Sequence, residues 1–450
     1  MASRNYETPL PFPPELVRAW HERPGAFARL QPPWDSVDVI EAKGTVFEGD
    51  RLVMRVAPMV RWVAVHRPHA DGFVDEMESG PFGSWRHVHR FVPDGTGGTI
   101  IHDEITFTPA LLGPLVDRKL APMFSFRRRR LLSDLKRHVG QPKLRVLVTG
   151  ASGLVGSALT AFLSTGGHEV FQLVRKEPGA GQVHWRPDAG YVDEAALSAA
   201  SGSTGFDAVI SLGGESVGER RWSEARKQAL VESRLRPTAL LGEVLERLAV
   251  RPRAWISASA VGFYGQQVED EVDERSPGGV DFLADLCRRW EETAALPGCR
   301  MVYARLGVVL SAHGGALQRL LPLFRAGGGG PVGRGTQHFP WIGLDDAVYA
   351  LTHIARDPAL SGPANLVAPG RVRQREFATM LGRCCGMPAV LPLPAAAVTL
   401  AFGEMGSSLL LGGQNVVSRS LAGRFEFQHP TLEQALAGEL GLPDPSPAQA

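Results

Sequence analysis

Three glycines spaced three residues apart are the clearest sign of chemistry in this 450-residue chain. In such a turn the first glycine allows a tight bend, the second lets backbone N–H groups approach a pyrophosphate, and the third lets a helix pack closely on a strand. The helix that starts there adds about half a positive charge beside the phosphates. We therefore predict that five residues of this turn contact a dinucleotide: Gly150, Ser152, Gly153, Leu154 and Gly156.

The segments around the glycine turn have the periods that a dinucleotide-binding fold needs. The apolar run 144–148 predicts a strand before the turn, the stretch through Leu163 predicts a helix, and residues 169–174 predict a second strand. Strand, turn, helix and strand begin a doubly wound parallel sheet, the Rossmann arrangement. Later apolar runs predict further strands of this sheet at 208–212, 254–257 and 301–310.

The second strand ends in a basic pair, Arg175 and Lys176. An acidic residue at this place would bind the ribose 2′-hydroxyl of NAD, whereas an arginine suits the 2′-phosphate of NADP. A solvated basic pair at the end of a strand is the alternative interpretation. On the charge, we predict NADP(H) as the cofactor.

The spacing Thr149-Gly150-x-x-Gly153-x-x-Gly156 resembles that of the extended short-chain dehydrogenases/reductases. Ordered matches across about 144–440 narrow the resemblance to an atypical branch, the epimerase family that is similar to NAD-dependent epimerases/dehydratases and has its own small C-terminal domain. The resemblance implies that Gly213, after the fourth strand, also binds the cofactor. The matching segments are 211–215, 257–265, 281–284, 305–310, 341–346, 410–414 and 425–436.

The same resemblance implies three catalytic groups near the nicotinamide: a tyrosine that moves a proton, a lysine four residues later that lowers its pKa, and a serine that binds the substrate oxygen. Ser259, at the end of the fifth strand, fits the serine, and Ser257 is the alternative. Where Tyr-x-x-x-Lys is expected, residues 281–289 contain neither tyrosine nor lysine. Tyr264 is the substitute acid, although a tyrosine in such a turn more often positions the substrate or packs the loop.

The first 142 residues have a different pattern. Strand-like alternation runs over 44–107, clearest at 51–56 and 61–66, and a helix is predicted over 114–138. Antiparallel strands closed by one long helix form a helix-grip domain. The fold class that we predict is therefore α/β, with an N-terminal α+β helix-grip domain before the Rossmann domain.

This N-terminal segment resembles the START-like superfamily (SRPBCC, or polyketide cyclase), in which the long helix covers a hydrophobic ligand cavity. A sheet whose aromatic face merely packs against its own helix is the alternative. The resemblance depends on a turn at 24–27, on residues 32–34, and on one strand with the pattern Trp85-x-His87-x-His89-x-Phe91.

Metal and nucleic-acid sites are weakly indicated. His87 and His89 share a strand face, but no third ligand stands at a suitable spacing, so we predict packing or cavity lining and no metal. The four arginines at 127–130 predict a solvated helix face. The four cysteines show no CxxC spacing and predict neither a zinc site nor a disulfide framework: Cys287, Cys299, Cys384 and Cys385.

Length and composition set the outer limits of the interpretation. A single core stops growing near about 250–300 residues, and we predict domains at 1–142, 143–395 and 396–445. The 48 basic and 47 acidic residues give no field that would attract nucleic acid. The N-terminus lacks an apolar stretch after its basic residue, and the apolar region 389–402 contains two prolines, so we expect a cytoplasmic protein without membrane insertion.

Together these features predict an NADP(H)-binding reductase or epimerase-like oxidoreductase that acts on a small or lipophilic carbonyl or hydroxyl compound. Its N-terminal domain would bind a hydrophobic ligand. The missing Tyr-x-x-x-Lys pair keeps an alternative open, a non-catalytic NADP(H)-dependent sensor or scaffold. The sequence leaves the substrate and the oligomeric state open.

Overall fold

The computed structural model describes residues 1–35, 37–43, 51–57 and 59–445, and the chain divides into two compact units. The first unit contains Met1–Lys143 with two short pieces, Ala161–Gly167 and Gly441–Pro443. The second unit contains the rest of the described chain. The division falls one residue after the predicted boundary, and residues 44–50 of the predicted strand-rich segment lie outside the described residues.

The first unit is built on seven antiparallel strands and three helices. The strands are β1 (Ala2–Leu10), β2 (Asp38–Lys43), β3 (Arg51–Ala57), β4 (Val60–His69), β5 (Gly72–Ser79), β6 (Ser84–Pro93) and β7 (Thr99–Thr108). The helices are α1 (Pro14–Glu22), α2 (Ala26–Leu30) and α3 (Gly113–His138). The order in the sheet is β1-β7-β6-β5-β4-β3-β2.

Helix α3 covers one face of this sheet. The period of two along β7 puts Ile105 and Phe107 on the covered face, where they pack against Leu120 and Phe124 of the helix. Pro114 lies in the first turn of α3, where the absence of an N–H costs nothing, and the helix ends with basic residues that favour its negative end. The helix predicted over 114–138 is therefore present.

The second unit contains twelve described strands, β8 to β19, and nine described helices, α4 to α12. The strands are β8 (Arg145–Thr149), β9 (Glu169–Val174), β10 (Gln182–Arg186), β11 (Tyr191–Val192), β12 (Ala208–Ser211), β13 (Ala254–Ala260), β14 (Gln267–Val272), β15 (Arg300–Leu306), β16 (Val308–Leu310), β17 (Trp341–Gly343), β18 (Gly362–Leu366) and β19 (Gly413–Val416). The helices are α4 (Leu154–Thr165), α5 (Glu194–Ser201), α6 (Glu224–Arg247), α7 (Phe282–Thr293), α8 (Gly315–Arg325), α9 (Leu344–Arg356), α10 (Gln374–Cys384), α11 (Ala395–Leu409) and α12 (Leu432–Leu440).

Eight of these strands form one sheet in the order β11-β10-β9-β8-β12-β13-β15-β18, and every pair except β10 with β11 is parallel. The central strands β12 and β13 are buried along almost their whole length, as parallel sheets covered by helices on both faces require. The strand order reverses between β8 and β12. Ligands of such sheets bind at this switch point, beyond the carboxyl ends of the strands, and the prediction of a Rossmann-like sheet is confirmed.

The strand predicted over 301–310 is two strands in the structure. Gly307 separates β15 from β16, and its N–H bonds to the carbonyl of Leu366 while the next residue, Val308, bonds to Pro340. Strand β16 thereby leaves the large sheet and pairs with β17. A continuous apolar run could not show this change of partner.

The C-terminal segment through Leu440 clusters with the second unit. Strand β19 pairs in parallel with β14, and α10 and α12 share a core with α8 that includes Leu321, Phe377 and Leu436. In the described part of the chain, no helix combines the length and the apolar character that crossing a membrane requires.

Candidate functional site

The glycine turn lies between β8 and α4, and its backbone cannot accept a larger residue at two positions. Gly150 has a φ of +71°, and a Cβ added to it would lie 2.8 Å from the Gly213 nitrogen. A Cβ at Gly156 would lie 2.1 Å from the Gly150 carbonyl oxygen. The first and third glycines therefore have the roles that the sequence predicts, a tight bend and a close helix–strand approach.

The outer side of the turn is open enough for a phosphate. Ser152 and Gly153 are exposed, and a Cβ at Gly153 would meet only the Gly150 carbonyl oxygen, 3.3 Å away. Leu154 begins α4, whose first turn contains no acidic residue that would repel an anion. The positive end of a twelve-residue helix therefore faces this side, and the turn fits a pyrophosphate.

The loop after β12 lies against the glycine turn at the switch point of the sheet. A Cβ built on Gly213 would have one neighbour within 4 Å, the Thr149 hydroxyl at 3.9 Å, so space remains beside it. A pocket at this place has walls from β8, β12, α6 and α7. Its lining residues are Thr149, Ser211, Gly213, Pro237, Thr238, Leu241 and Trp290.

Arg175 and Lys176 follow the last residue of β9 and are both exposed. In the described part of the chain neither side chain has an ion pair or a hydrogen bond, so no internal partner competes for them. Strand β9 is parallel to its neighbour β8, so the two basic residues and the glycine turn both lie at the carboxyl ends of their strands, on the same side of the sheet. This is where a dinucleotide would place its adenosine ribose.

Ser259 lies near the end of β13 and is 3% exposed. Its hydroxyl donates a hydrogen bond to the Glu291 carboxylate at 2.6 Å. The same carboxylate accepts two hydrogen bonds from Arg305, each 2.8 Å long, in a bidentate ion pair. The sequence-predicted serine is thus held by a buried charge pair rather than turned toward open space, and its catalytic role stays a prediction.

Tyr264 lies in the turn after β13 and belongs to the same network. Its hydroxyl donates to the Asn365 side-chain oxygen at 2.8 Å and accepts from Arg305 at 3.0 Å. Burial raises the pKa of Tyr264, and the neighbouring Arg305 only partly opposes this. The phenol is therefore protonated at neutral pH and donates within the network, which describes a positioning group better than a proton donor to substrate.

The guanidinium of Arg305 is the centre of this network. Burial disfavours its charge, but the hydrogen bonds and the charge of Glu291 outweigh burial and raise the pKa of Arg305. The guanidinium carbon also lies 3.5 Å from the centre of the Phe263 ring, close enough for a cation–π interaction. Arg305 therefore remains charged inside the unit and joins β13, the following turn and α7.

Cys287 lies on α7, one turn before Glu291. Burial raises the pKa of its thiol to about 11, and the negative charge of Glu291 adds to the effect. The thiol is therefore neutral at physiological pH and poorly nucleophilic.

Sequence reasoning missed Glu291, Arg305 and Asn365 as parts of the site. The signal for Arg305 was available, because a charged residue inside an apolar strand needs a buried partner. The partner itself could not be found from spacing, because Glu291 is on a helix 14 residues earlier.

Comparison with known proteins agrees with this geometry. The model of the NAD dependent epimerase/dehydratase family matches residues 146–367, and a model of a domain of unknown function, DUF1731, matches 393–438. An epimerase family protein of Mycobacterium tuberculosis is 44% identical over 298 residues, which cover 65% of this chain and 96% of the relative. The chain belongs to the NAD dependent epimerase/dehydratase family.

Two solved members of this family are informative. The human epimerase family protein SDR39U1 is 41% identical to this chain over 299 residues. Its crystal structure with NADPH covers 66% of this chain and 98% of the human chain, with a TM-score of 0.60 and 38% identity. A structure of a nucleoside-diphosphate sugar epimerase from Corynebacterium glutamicum covers 98% of this chain and 90% of its own, with a TM-score of 0.80 and 33% identity. The prediction of NADP(H) is thereby confirmed at the level of the family.

Proposed function

We propose that this chain is a cytoplasmic NADP(H)-dependent oxidoreductase of the epimerase family, which reduces, or epimerises through transient oxidation, a small or lipophilic carbonyl or hydroxyl compound. One observation carries the proposal: the glycine turn, the space beside Gly213 and the unpaired Arg175 and Lys176 follow neighbouring strands at one edge of the sheet. The NADPH of the human relative supports the choice of cofactor.

Each part of this edge would bind a different part of the cofactor. Backbone N–H groups at 152–154 and the start of α4 would bind the pyrophosphate, and Gly150 and Gly156 would keep the turn tight enough to present them. Arg175 would bind the 2′-phosphate through charge-assisted hydrogen bonds, with Lys176 beside it. The bound nicotinamide would supply or accept a hydride.

The titration of both cofactors tests the phosphate assignment. Arg175→Ala should weaken NADPH binding by about 10- to 100-fold, because a hydrogen bond to a charged group is worth about 1.5–3 kcal/mol. Binding of NADH should not change. Arg289→Ala, an exposed arginine on α7, is the matched control, and an unchanged preference for NADPH in Arg175→Ala would remove the assignment.

A second experiment tests catalysis. The NADPH-loaded protein is mixed in a stopped-flow instrument with a panel of carbonyl compounds, and nucleotide sugars are included because the Corynebacterium relative is described as a nucleoside-diphosphate sugar epimerase. Ser259→Ala should lower the rate if its hydroxyl turns from Glu291 to a substrate oxygen. Ser257→Ala tests the alternative serine, and Ser201→Ala, on α5, is the buried control. No turnover with any compound would refute the oxidoreductase proposal.

The alternative proposal is a non-catalytic NADP(H)-dependent sensor or scaffold. Its specific support is that the hydroxyls of Ser259 and Tyr264 are both buried and bonded to an internal ion-pair network, while 281–289 lacks the tyrosine and the lysine. Such a protein would bind NADPH without oxidising it. A change in protease susceptibility on NADPH binding, in the absence of turnover, would favour this alternative.

For the first unit we propose a START-like helix-grip domain that binds a hydrophobic ligand. Its support is the antiparallel sheet with α3 packed across one face. Native mass spectrometry of the full chain should detect a hydrophobic compound that dissociates on unfolding. The proposal would be contradicted if the protein shows no bound compound both as purified from cells and after incubation with fatty acids and aromatic polyketides.

A further inference from the structure

A row of ionisable side chains crosses the interior of the first unit beneath α3. His87 and His89 are two residues apart on β6, and Asp103 lies opposite His89 on β7. The carboxylate oxygen Oδ1 of Asp103 lies 3.0 Å from Nε2 of His87 and 2.6 Å from Nδ1 of His89. One ligand atom from each of the three residues lies within 4.8 Å of the others.

The surroundings of this triad are apolar. On one side Ile105 and Leu120 belong to a core cluster, whose member Phe124 lies with its ring centre 5.9 Å from that of His87. On the other side Phe73 stacks on the ring of His89 with 4.2 Å between ring centres. A buried carboxylate in such surroundings is costly unless a positive charge compensates it.

A second observation points to the same place. In the register of the sheet His66 lies opposite Asp75, and Asp75 lies opposite His87. Among the described residues, Nδ1 of His66 and Oδ1 of Asp75 are buried and have no hydrogen-bond partner, and His66 is only 7% exposed. Two unsatisfied buried polar atoms beside a charged triad indicate a missing polar occupant, because buried polar groups are normally paired.

The nearest side-chain cation is not placed to be that occupant. Arg127 of α3 interacts electrostatically with Asp103 and Asp75, but its Nε donates to the Leu30 carbonyl oxygen at 3.2 Å. Among the described residues, Arg127 makes no hydrogen bond or ion pair with His87, His89 or Asp103, and the polar contacts of the Asp103 carboxylate are with the two imidazoles.

We propose that His87, His89 and Asp103 bind a divalent transition-metal ion, Zn²⁺ being the best match to two imidazoles and one carboxylate, with one position left for water or a small ligand. Tetrahedral ligands at about 2.0–2.1 Å from zinc are separated by roughly 3.3 Å. The three ligand atoms, which all lie within 4.8 Å of one another, would reach that separation by side-chain rotation. Imidazole and carboxylate ligands suit zinc and related metals. His66 and Asp75 would bond to the ligands or to the fourth group from outside.

Linear spacing indicated no third ligand beside His87 and His89. Asp103 is 14 residues after His89 and reaches it only through the hairpin of β6 and β7. Cross-strand pairing supplies the ligand that linear spacing does not.

Metal binding by the full chain tests the proposal. The protein is stripped with a chelator, then titrated with Co²⁺ while the visible d–d absorption is recorded, and Zn²⁺ is used to displace it. We expect one equivalent of Co²⁺, and at least a 100-fold weaker affinity in Asp103→Asn and in His89→Ala. His102→Ala is the matched control, because His102 is the neighbour of Asp103 on β7 but pairs with Glu7.

The absorption itself distinguishes this site from the cysteines. A thiolate charge-transfer band would assign the cobalt to a cysteine and overturn the proposal, as would equal affinities of Asp103→Asn and His102→Ala. If a variant fails to fold, X-ray absorption spectroscopy of the zinc-loaded native chain identifies the ligand atoms instead. A shell of nitrogen and oxygen ligands near about 2.0 Å with imidazole scattering supports the site, and a sulfur shell overturns it.

Discussion

The buried ion pair between Glu291 and Arg305 leads to a prediction that the structure makes quantitative. The side chains of Arg305 and Glu291 are 5% and 10% exposed, so each charge depends on the other for compensation. Glu291→Gln removes the negative charge but keeps the shape. Breaking a buried pair from one side costs about 3–5 kcal/mol, since the remaining charge stays buried without a partner.

We expect the lower part of that range, about 3 kcal/mol, because the glutamine oxygen can still accept one hydrogen bond from Arg305. With a urea slope of about 3 kcal/mol per molar, the midpoint of unfolding of the second unit should fall by about 1 M. Tryptophan fluorescence can record this transition, since Trp255 and Trp290 both lie in the second unit.

The neighbouring residue provides a matched control. Glu292 is exposed on the same helix, so Glu292→Gln removes an equal charge and should shift the midpoint by less than about 0.2 M, within the range of surface substitutions. If Glu291→Gln and Glu292→Gln unfold at the same urea concentration, the ion pair does not stabilise the unit. The interpretation of Ser259 and Tyr264 as groups held by it would then be wrong.

Three further predictions concern other parts of the chain. Gly156→Ala should abolish NADPH binding and lower the melting temperature, because its Cβ would lie 2.1 Å from the Gly150 carbonyl oxygen. In Gly153→Ala the new Cβ would lie 3.3 Å from the same oxygen, so this variant should keep the fold. Fluorescence titration with NADPH and thermal unfolding compare the two variants. Cys287, whose pKa burial raises to about 11, should resist iodoacetamide at pH 8 until urea is added, as peptide mass spectrometry would show; rapid labelling of the native protein would contradict this. Burial lowers the pKa of His21 from 6.5 to about 4. The free energy of unfolding that is present above pH 6.5 should therefore fall by about 3 kcal/mol as the pH drops toward 4. In urea unfolding, His21→Asn should show a smaller loss of this free energy over the same pH range than the native chain.

The sequence predicted the parts of the second unit that depend on local pattern. The strand at 169–174 and the glycine turn are found as expected, because an apolar run and three spaced glycines are constraints between near neighbours. The separation of β15 from β16 was not predicted, because both strands are apolar and the change of partner at Gly307 depends on β17 and β18. Periodicity gives the elements but not their neighbours.

The candidate site shows the same division. The glycine turn from Gly150 to Gly156 is a sequential motif and was predicted from spacing alone, and its contacts with a cofactor stay a prediction. The ion pair of Arg305 with Glu291, and the position of Asp103 beside His89, each join residues from different elements. Such pairs become visible only when strand register and helix packing are known, since a single sequence contains no record of distance between elements.

The pairing of β14 with β19 determines how this protein can be divided. Gln267–Val272 obtains its only described strand partner from Gly413–Val416, and Glu274 accepts hydrogen bonds from the backbone of Arg419 and Ser420. A truncation before residue 393 would leave an unpaired strand edge in the remaining fragment and would remove the hydrogen bonds that Arg419 and Ser420 donate to Glu274. In chimeras and recombination libraries, the DUF1731 segment should therefore be exchanged only together with β14, the strand that it pairs with. Complementation between separately expressed fragments would measure how strongly the two fragments bind each other.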